Sequence, residues 1–268
     1  MGILRHLDEL TSDPIGFLTE TLYLAAAVLI SLILHECAHG YMALRCGDPT
    51  AKMMGRLSLN PARHLDPIGT ASMLLFGFGW AKPVPVNPRN FRGDYRRDDF
   101  LVAIAGIVVN FCLFLLFSLL SVVIGKAMWQ PELIAYAREE GSSGMLFDPY
   151  ESSLAAVVMY PSGYMDQLIP LVTSSVWLYV QRFVLLMAQV NLSLAIFNFL
   201  PIPPLDGYHL LNDTLLGGRL SLDPNAFRIA QAVLMVLLFM GALGGILSAA
   251  NSAVFGAVMR LWLRLAGL

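Results

Sequence analysis

His35-Glu36-Cys37-Ala38-His39 sets two imidazoles four residues apart with a carboxylate beside the first. On a helix, residues at that spacing share a face, so both rings can reach one metal ion. Glu36 then points to the side of the metal where a water would sit. Zinc suits an imidazole and carboxylate set, lowers the pKa of bound water towards neutrality and polarises a carbonyl. A glutamate so placed can take the proton of that water and deliver it to a leaving amine. The pattern implies metal-assisted hydrolysis of an amide. HExxH is short and also occurs on soluble helices as salt-bridged surface residues. The setting separates this copy from those: it continues the apolar stretch Thr21–Leu34, where an unpaired Glu and two His are costly.

A zinc ion that keeps one position open needs a third protein ligand. Asp206 is the only acid between Arg182 and Asp213, and it closes the apolar run NFLPIPPLDG. Pro201, Pro203 and Pro204 cannot continue a helix, so an unwound segment is expected there. Taken alone, Asp206 reads as the start of a turn before Gly207; paired with HECAH on one side of a membrane, it reads as the third ligand. Asn110 lies within the uncharged stretch Leu101–Gly125. Its amide either binds substrate backbone or a developing oxyanion, or makes a helix–helix hydrogen bond. His64 and Asp66 read as turn caps, His209 as part of a helix start, and Cys37 as a small packing residue.

The elements that position these residues must be membrane helices. Of 268 residues, 57% are hydrophobic and 13% charged, with a mean hydropathy of +0.65. A soluble domain carries about a quarter charged residues, so an ordinary water-soluble globule is excluded. Seventeen Lys and Arg against nineteen Asp and Glu give a net charge of −2, which excludes the basic face of a nucleic-acid binder. Cys37, Cys46 and Cys112 are too few and too scattered for a disulfide framework or a thiolate cluster.

A spanning helix needs about 20 apolar residues. Uncharged stretches of that order occur at Leu101–Gly125, Phe183–Leu205 and Ile229–Met259. Thr21–Leu34 reaches spanning length only if His35, Glu36 and His39 are inside its helix. Ile68–Trp80 is too short to span and is read as a re-entrant hairpin, tolerated at membrane depth where protein or water satisfies its backbone. Arg45–Asp99 holds nine Lys and Arg, whereas Lys126–Asp166 holds two alongside six acids. The positive-inside rule places the first segment in the cytoplasm and the second outside. HECAH and Leu205-Asp206-Gly207 then arrive on the same, cytoplasmic side. The C-terminal run stays open: one crossing leaves Arg260 and Arg264 outside against the charge rule, and Gly241, Gly244 and Gly245 could break it.

Four motifs together resemble the site-2 protease family of intramembrane zinc metalloproteases. They are HECAHGYMALRCGDPTAKMMGRLSLNPARHLDPIGT, FGWAKPVPVNPRNF, AIAGIVVN and NFLPIPPLDGYHLL, in the family's order across most of residues 20–212. The chain looks most like the compact prokaryotic branch without an appended PDZ or CBS domain. The resemblance implies that His35, His39 and Asp206 hold one zinc ion, that Glu36 is the catalytic base and that Asn110 lies near the substrate. It departs from the pattern at Ile107, where the family usually has proline, and in the length of the segment after Lys126.

The expected architecture is an all-α polytopic membrane protein with a site-2-protease-like core and a short re-entrant β-hairpin. It forms a single peptidase domain over 1–268, with its core at about 20–212, an extracytoplasmic insertion at 126–168 and a C-terminal membrane segment at 229–259. The expected activity is zinc-dependent cleavage of transmembrane protein substrates near the cytoplasmic face of a prokaryotic inner membrane, with the lipid bilayer and no nucleic acid as partners. A helical substrate must unwind to be cut, and the Ile68–Pro88 hairpin and Pro201–Pro204 strand could offer edges for it. The rival class is a metal or ion transporter using the same buried His, Glu and Asp cluster. It predicts a charged route across the bilayer and a repeated half, and neither is visible.

Overall fold

In hydrocarbon a backbone satisfies its polar groups within a helix or a closed barrel, and the apolar runs fold as helices. The computed structural model describes residues 13–66, 69, 82–150, 153–161, 164–217 and 223–268. In chain order its α-helices are α1 (Pro14–Cys46), α2 (Thr50–Met53), α3 (Tyr95–Met128), α4 (Pro131–Glu139), α5 (Gly144–Phe147), α6 (Leu154–Met159), α7 (Met165–Leu168), α8 (Ser175–Asn198), α9 (Asp206–Thr214), α10 (Pro224–Phe239) and α11 (Gly244–Ala266). Among the described residues, α1, α3, α8 and α11 are long and apolar enough to cross a membrane. The shortest of them, α11, has 23 residues and so a length of about 35 Å, more than the roughly 30 Å of a hydrocarbon core.

The helices outrun the uncharged stretches. α1 begins at Pro14 and α3 at Tyr95, because the polar first turns reach beyond the hydrocarbon, where charge costs little. Arg182, just before the third uncharged run, sits inside α8. It is buried, 3.5 Å from Glu20 of α1 and 4.8 Å from the centre of the Tyr23 ring, and this pairing is what makes an intramembrane charge tolerable.

Two compact units make up the chain. One contains Leu29–Phe111 and Ser193–Ser248. Its core joins Ala103 and Ile107 of α3 to Ala195 of α8 and Leu210 of α9, and joins Ala43 and Cys46 of α1 to Val102 of α3. The other contains Cys112–Leu192, Ala249–Leu268 and α1 up to Val28. There the expected insertion forms the short helices α4 to α7. Trp129 anchors them: it is 1% exposed, and its indole N–H donates to the Leu146 carbonyl at 3.1 Å.

No strand occurs among the described residues; Trp129 and Val172 make one isolated antiparallel bridge. The Ile68–Trp80 hairpin lies outside the described residues apart from Gly69. Pro201–Pro204 is a set of turns rather than the expected strand. Proline has no N–H, and the donors left over bond locally, Ile202 to Leu200 at 2.8 Å and Leu205 to Ile202 at 2.9 Å. The C-terminal run is two helices, parted where Gly241 takes a φ of +69°, a left-handed conformation that glycine adopts without strain.

Candidate metal centre

The helical spacing of His35 and His39 on α1 brings their Nε2 atoms to 2.9 Å. Both side chains are buried. His39 donates from Nδ1 to the Val102 carbonyl at 2.7 Å, which fixes the tautomer and leaves a lone pair on Nε2. Nδ1 of His35 meets the side-chain nitrogen of Asn110 at 3.1 Å, while the Asn110 oxygen is buried without a partner. The two ends of an amide are interchangeable in shape. Turned over, the Asn110 oxygen accepts from a protonated His35 Nδ1, and Nε2 of His35 is freed as well. Two nitrogen lone pairs then face one another, an arrangement that needs a cation between them.

Asp206 completes the set. Its Oδ2 lies 3.3 Å from Nε2 of His35 and 3.3 Å from Nε2 of His39, yet is buried and forms a hydrogen bond with neither. Burial works against its charge, but the two imidazoles outweigh that and hold its carboxyl below the ordinary range. Asp206 opens α9, where the positive end of the helix favours a carboxylate. A side chain at Gly207 would lie 2.3 Å from the Phe199 carbonyl oxygen, so only glycine lets α9 begin so close to the end of α8. The three donor atoms lie within 4.8 Å of one another. Two imidazole nitrogens and one carboxylate oxygen, with an orphaned oxygen between, fit a zinc ion with one open position.

Glu36 stays out of this set. Its Oε2 accepts the backbone N–H of Val84 at 2.7 Å. Cys37 turns away, its thiol donating to the Ser58 carbonyl at 3.4 Å. His64 is not among the three converging donors; it ends a short 3-10 turn and donates from Nε2 to the Ser58 carbonyl at 2.6 Å. Asp66 accepts from the Gly69 N–H at 2.8 Å. His209, in the first turn of α9, bonds Asp99 at 3.0 Å and with Asp213 forms a separate group of potential ligands.

Three contributors escape a reading by side-chain type. The Val102 carbonyl and the Val84 N–H are main-chain groups. Gly106 is the third: a Cβ there would lie 2.5 Å from Cε1 of His35 and 2.6 Å from Nε2 of His39. A glycine four residues before Asn110 on an apolar helix was the available signal for a close approach.

A model of peptidase family M50 matches residues 23–241. A Bacillus subtilis (strain 168) protein named "Putative zinc metalloprotease YwhC" is 39% identical over 197 residues, covering 73% of this chain and 70% of that protein. A Mycobacterium tuberculosis (strain H37Rv) protein named "Putative zinc metalloprotease Rip2" is 27% identical over 249 residues, covering 91% of this chain and 77% of that one. No solved structure matches the chain.

Proposed function

The chain belongs to peptidase family M50, the site-2 proteases, and on that footing we propose that His35, His39 and Asp206 hold one zinc ion beside Glu36 for cleavage of membrane-protein substrates. It is a zinc metalloprotease and a multi-pass membrane protein. The transporter alternative is not favoured, since the matched family is a peptidase family.

The observation that carries the site assignment is the orphaned Asp206 oxygen 3.3 Å from two converging imidazole nitrogens. Zinc, when bound, supplies a Lewis acid that acidifies water and polarises the scissile carbonyl. Val102 and Asn110 hold the two imidazoles with Nε2 presented to the ion, a supporting shell that fixes both tautomers. Glu36, with Oε2 engaged by Val84, keeps Oε1 to accept a proton from water and pass it to the amine nitrogen as the C–N bond breaks. Asn110 therefore serves the reaction through His35.

The substrate class is a transmembrane segment, and the reaction takes place at the cytoplasmic side, where water reaches the centre. The support for that side is charge: nine Lys and Arg flank the site between Arg45 and Asp99. A substrate helix must unwind to expose its carbonyls, and the Ile68–Pro88 hairpin is the segment proposed to pair with it.

The test uses purified protein, a transmembrane substrate and metal analysis. Glu36→Gln retains about one zinc per chain and loses cleavage by at least about 100-fold. His35→Ala and Asp206→Ala lose the metal. Normal cleavage by Glu36→Gln overturns the mechanism, and a zinc-free wild type that cleaves overturns the metal assignment.

A further inference from the structure

The segment Lys82-Pro83-Val84-Pro85 meets α1 at a point where its chemistry is restricted. Proline carries no N–H, so Val84 has the only backbone donor of the Pro83–Pro85 tripeptide. That donor goes to the carboxylate of the HExxH glutamate, at 2.7 Å. Val84 is 8% exposed, so water does not compete freely for the bond.

Anchors independent of Glu36 hold the segment in place. The Lys82 N–H donates to the His64 carbonyl at 2.8 Å, and the Lys82 carbonyl accepts from Nη2 of Arg56 at 2.6 Å. At the other end the Asn87 N–H donates to Oδ2 of Asp48 at 2.7 Å. Asp48 is itself buried and is also bonded by Thr50 and Asn90. Burial raises its pKa, but these hydrogen bonds outweigh it and hold the carboxyl below its usual range.

Gly40 sets the approach. It stands four residues after Glu36 and one after His39, one helical turn on from the base. A Cβ at Gly40 would lie 2.9 Å from Cγ1 of Val84 and 2.7 Å from Cδ2 of Leu57. A larger residue there presses on the Leu57 and Val84 side chains and crowds the approach of the segment to α1.

We infer that Val84 is a positioning residue of the protease: its backbone N–H, admitted by Gly40, pins one oxygen of Glu36 so that the other alone handles the proton. This rests on Glu36 being the general base, as proposed above. A carboxylate with both oxygens free must stop rotating before it accepts a proton. One that is held beforehand pays no such reorganisation in the transition state. It follows that the Val84 N–H is already engaged and is not among the donors offered to an unwound substrate.

The experiment compares four variants of the full chain with wild type in detergent, at saturating zinc with a transmembrane substrate, reading kcat, KM and bound zinc. Val84→Pro removes the N–H: kcat falls about 10- to 100-fold, with KM within about twofold and zinc retained. The conservative Val84→Ala keeps the N–H and recovers most of kcat. Gly40→Ala, whose Cβ would press on both Leu57 and Val84, lowers kcat to a similar degree, and adding Leu57→Ala and Val84→Ala together restores it by removing both clashing methyls. The split between Val84→Pro and Val84→Ala in kcat, at unchanged KM and zinc content, is the readout that a merely structural role would not give; if Val84→Pro fails to fold, the Gly40→Ala loss of kcat at unchanged KM and zinc, reversed in the triple variant, decides the matter. Wild-type kcat in a folded Val84→Pro, equal losses in Val84→Ala and Val84→Pro, or no recovery in the triple variant overturns the inference. Normal cleavage by Glu36→Gln in the same assay instead overturns the parent mechanism.

Discussion

Asn110 has 0% exposure and touches His35, so its effect on the reaction should pass through that proposed metal ligand. Groups that orient a ligating imidazole are worth about 10- to 100-fold in metal affinity. Asn110→Ala is therefore expected to weaken zinc binding by that factor, measured by competition with a chelator of known affinity. Unchanged affinity with a lowered kcat would return Asn110 to the oxyanion role that its position in the sequence also allows. The three residues that converge as the candidate centre were each singled out by residue type. HExxH needs two ligands one helical turn apart, and Asp206 was the only acid between Arg182 and Asp213, at the end of an apolar run expected on the same side. What stayed hidden at this scale was carried by main-chain groups and by an absent side chain: the Val102 carbonyl, the Val84 N–H and Gly106. None of these announces itself through a functional group.

At the scale of the element, α9 links the proposed metal centre to a second cluster. Asp206 opens it, and one and two turns later His209 and Asp213 stand against Asp99 of α3. Burial first, then the charge of Asp99, pushes the Asp213 carboxyl up to about 6, with His209 and Arg96 pulling the other way. The hydrogen bond to Asp99 likewise raises His209. The folded chain therefore keeps a proton on Asp213 that the unfolded chain releases near pH 4. This contribution to stability is complete below about pH 4 and is lost as pH climbs through 6; the part from His209 is lost above its own raised pKa. Asp213→Asn cannot ionise, so its melting temperature should exceed that of wild type at pH 7, with the gap closing at pH 4. Thermal unfolding in detergent at the two pH values checks this, and a larger gap at pH 4 would reverse the sign. The sequence did not foretell the cluster, because no spacing motif like HExxH ties Asp99 to His209, 110 positions away. The ends of the spanning helices were hidden for a different reason: counting uncharged residues misses polar first turns such as Tyr95–Asp99, which are helical but lie beyond the apolar run.

For the molecule as a whole, the C-terminal helix decides how well charge predicts orientation. Nζ of Lys126, near the end of α3, donates to the Ala266 carbonyl at 3.1 Å. Farther back along both helices, the Trp262 indole donates to Ser118 at 3.0 Å. Arg260 and Arg264 thus lie at the same end as the α3–α4 junction and line a cavity of about 450 Å³ with Arg138 and Ser142. In the proposed orientation that end is extracytoplasmic, which is the placement the charge rule disfavours for this helix. In that proposed orientation the charge bias of the sequence still favours the arrangement, with nine cations in Arg45–Asp99 against Lys126, Arg138, Arg260 and Arg264. Orientation follows the overall bias rather than any one helix. Single cysteines introduced after replacing Cys37, Cys46 and Cys112 test it in intact cells with a membrane-impermeant maleimide. Ser142→Cys and Gly267→Cys are expected to label from outside, and Asn60→Cys only after the membrane is opened. Labelling of Asn60→Cys in intact cells inverts the protein and moves the metal centre to the outer face. Labelling that separates Gly267→Cys from Ser142→Cys would break the pairing of α3 with α11.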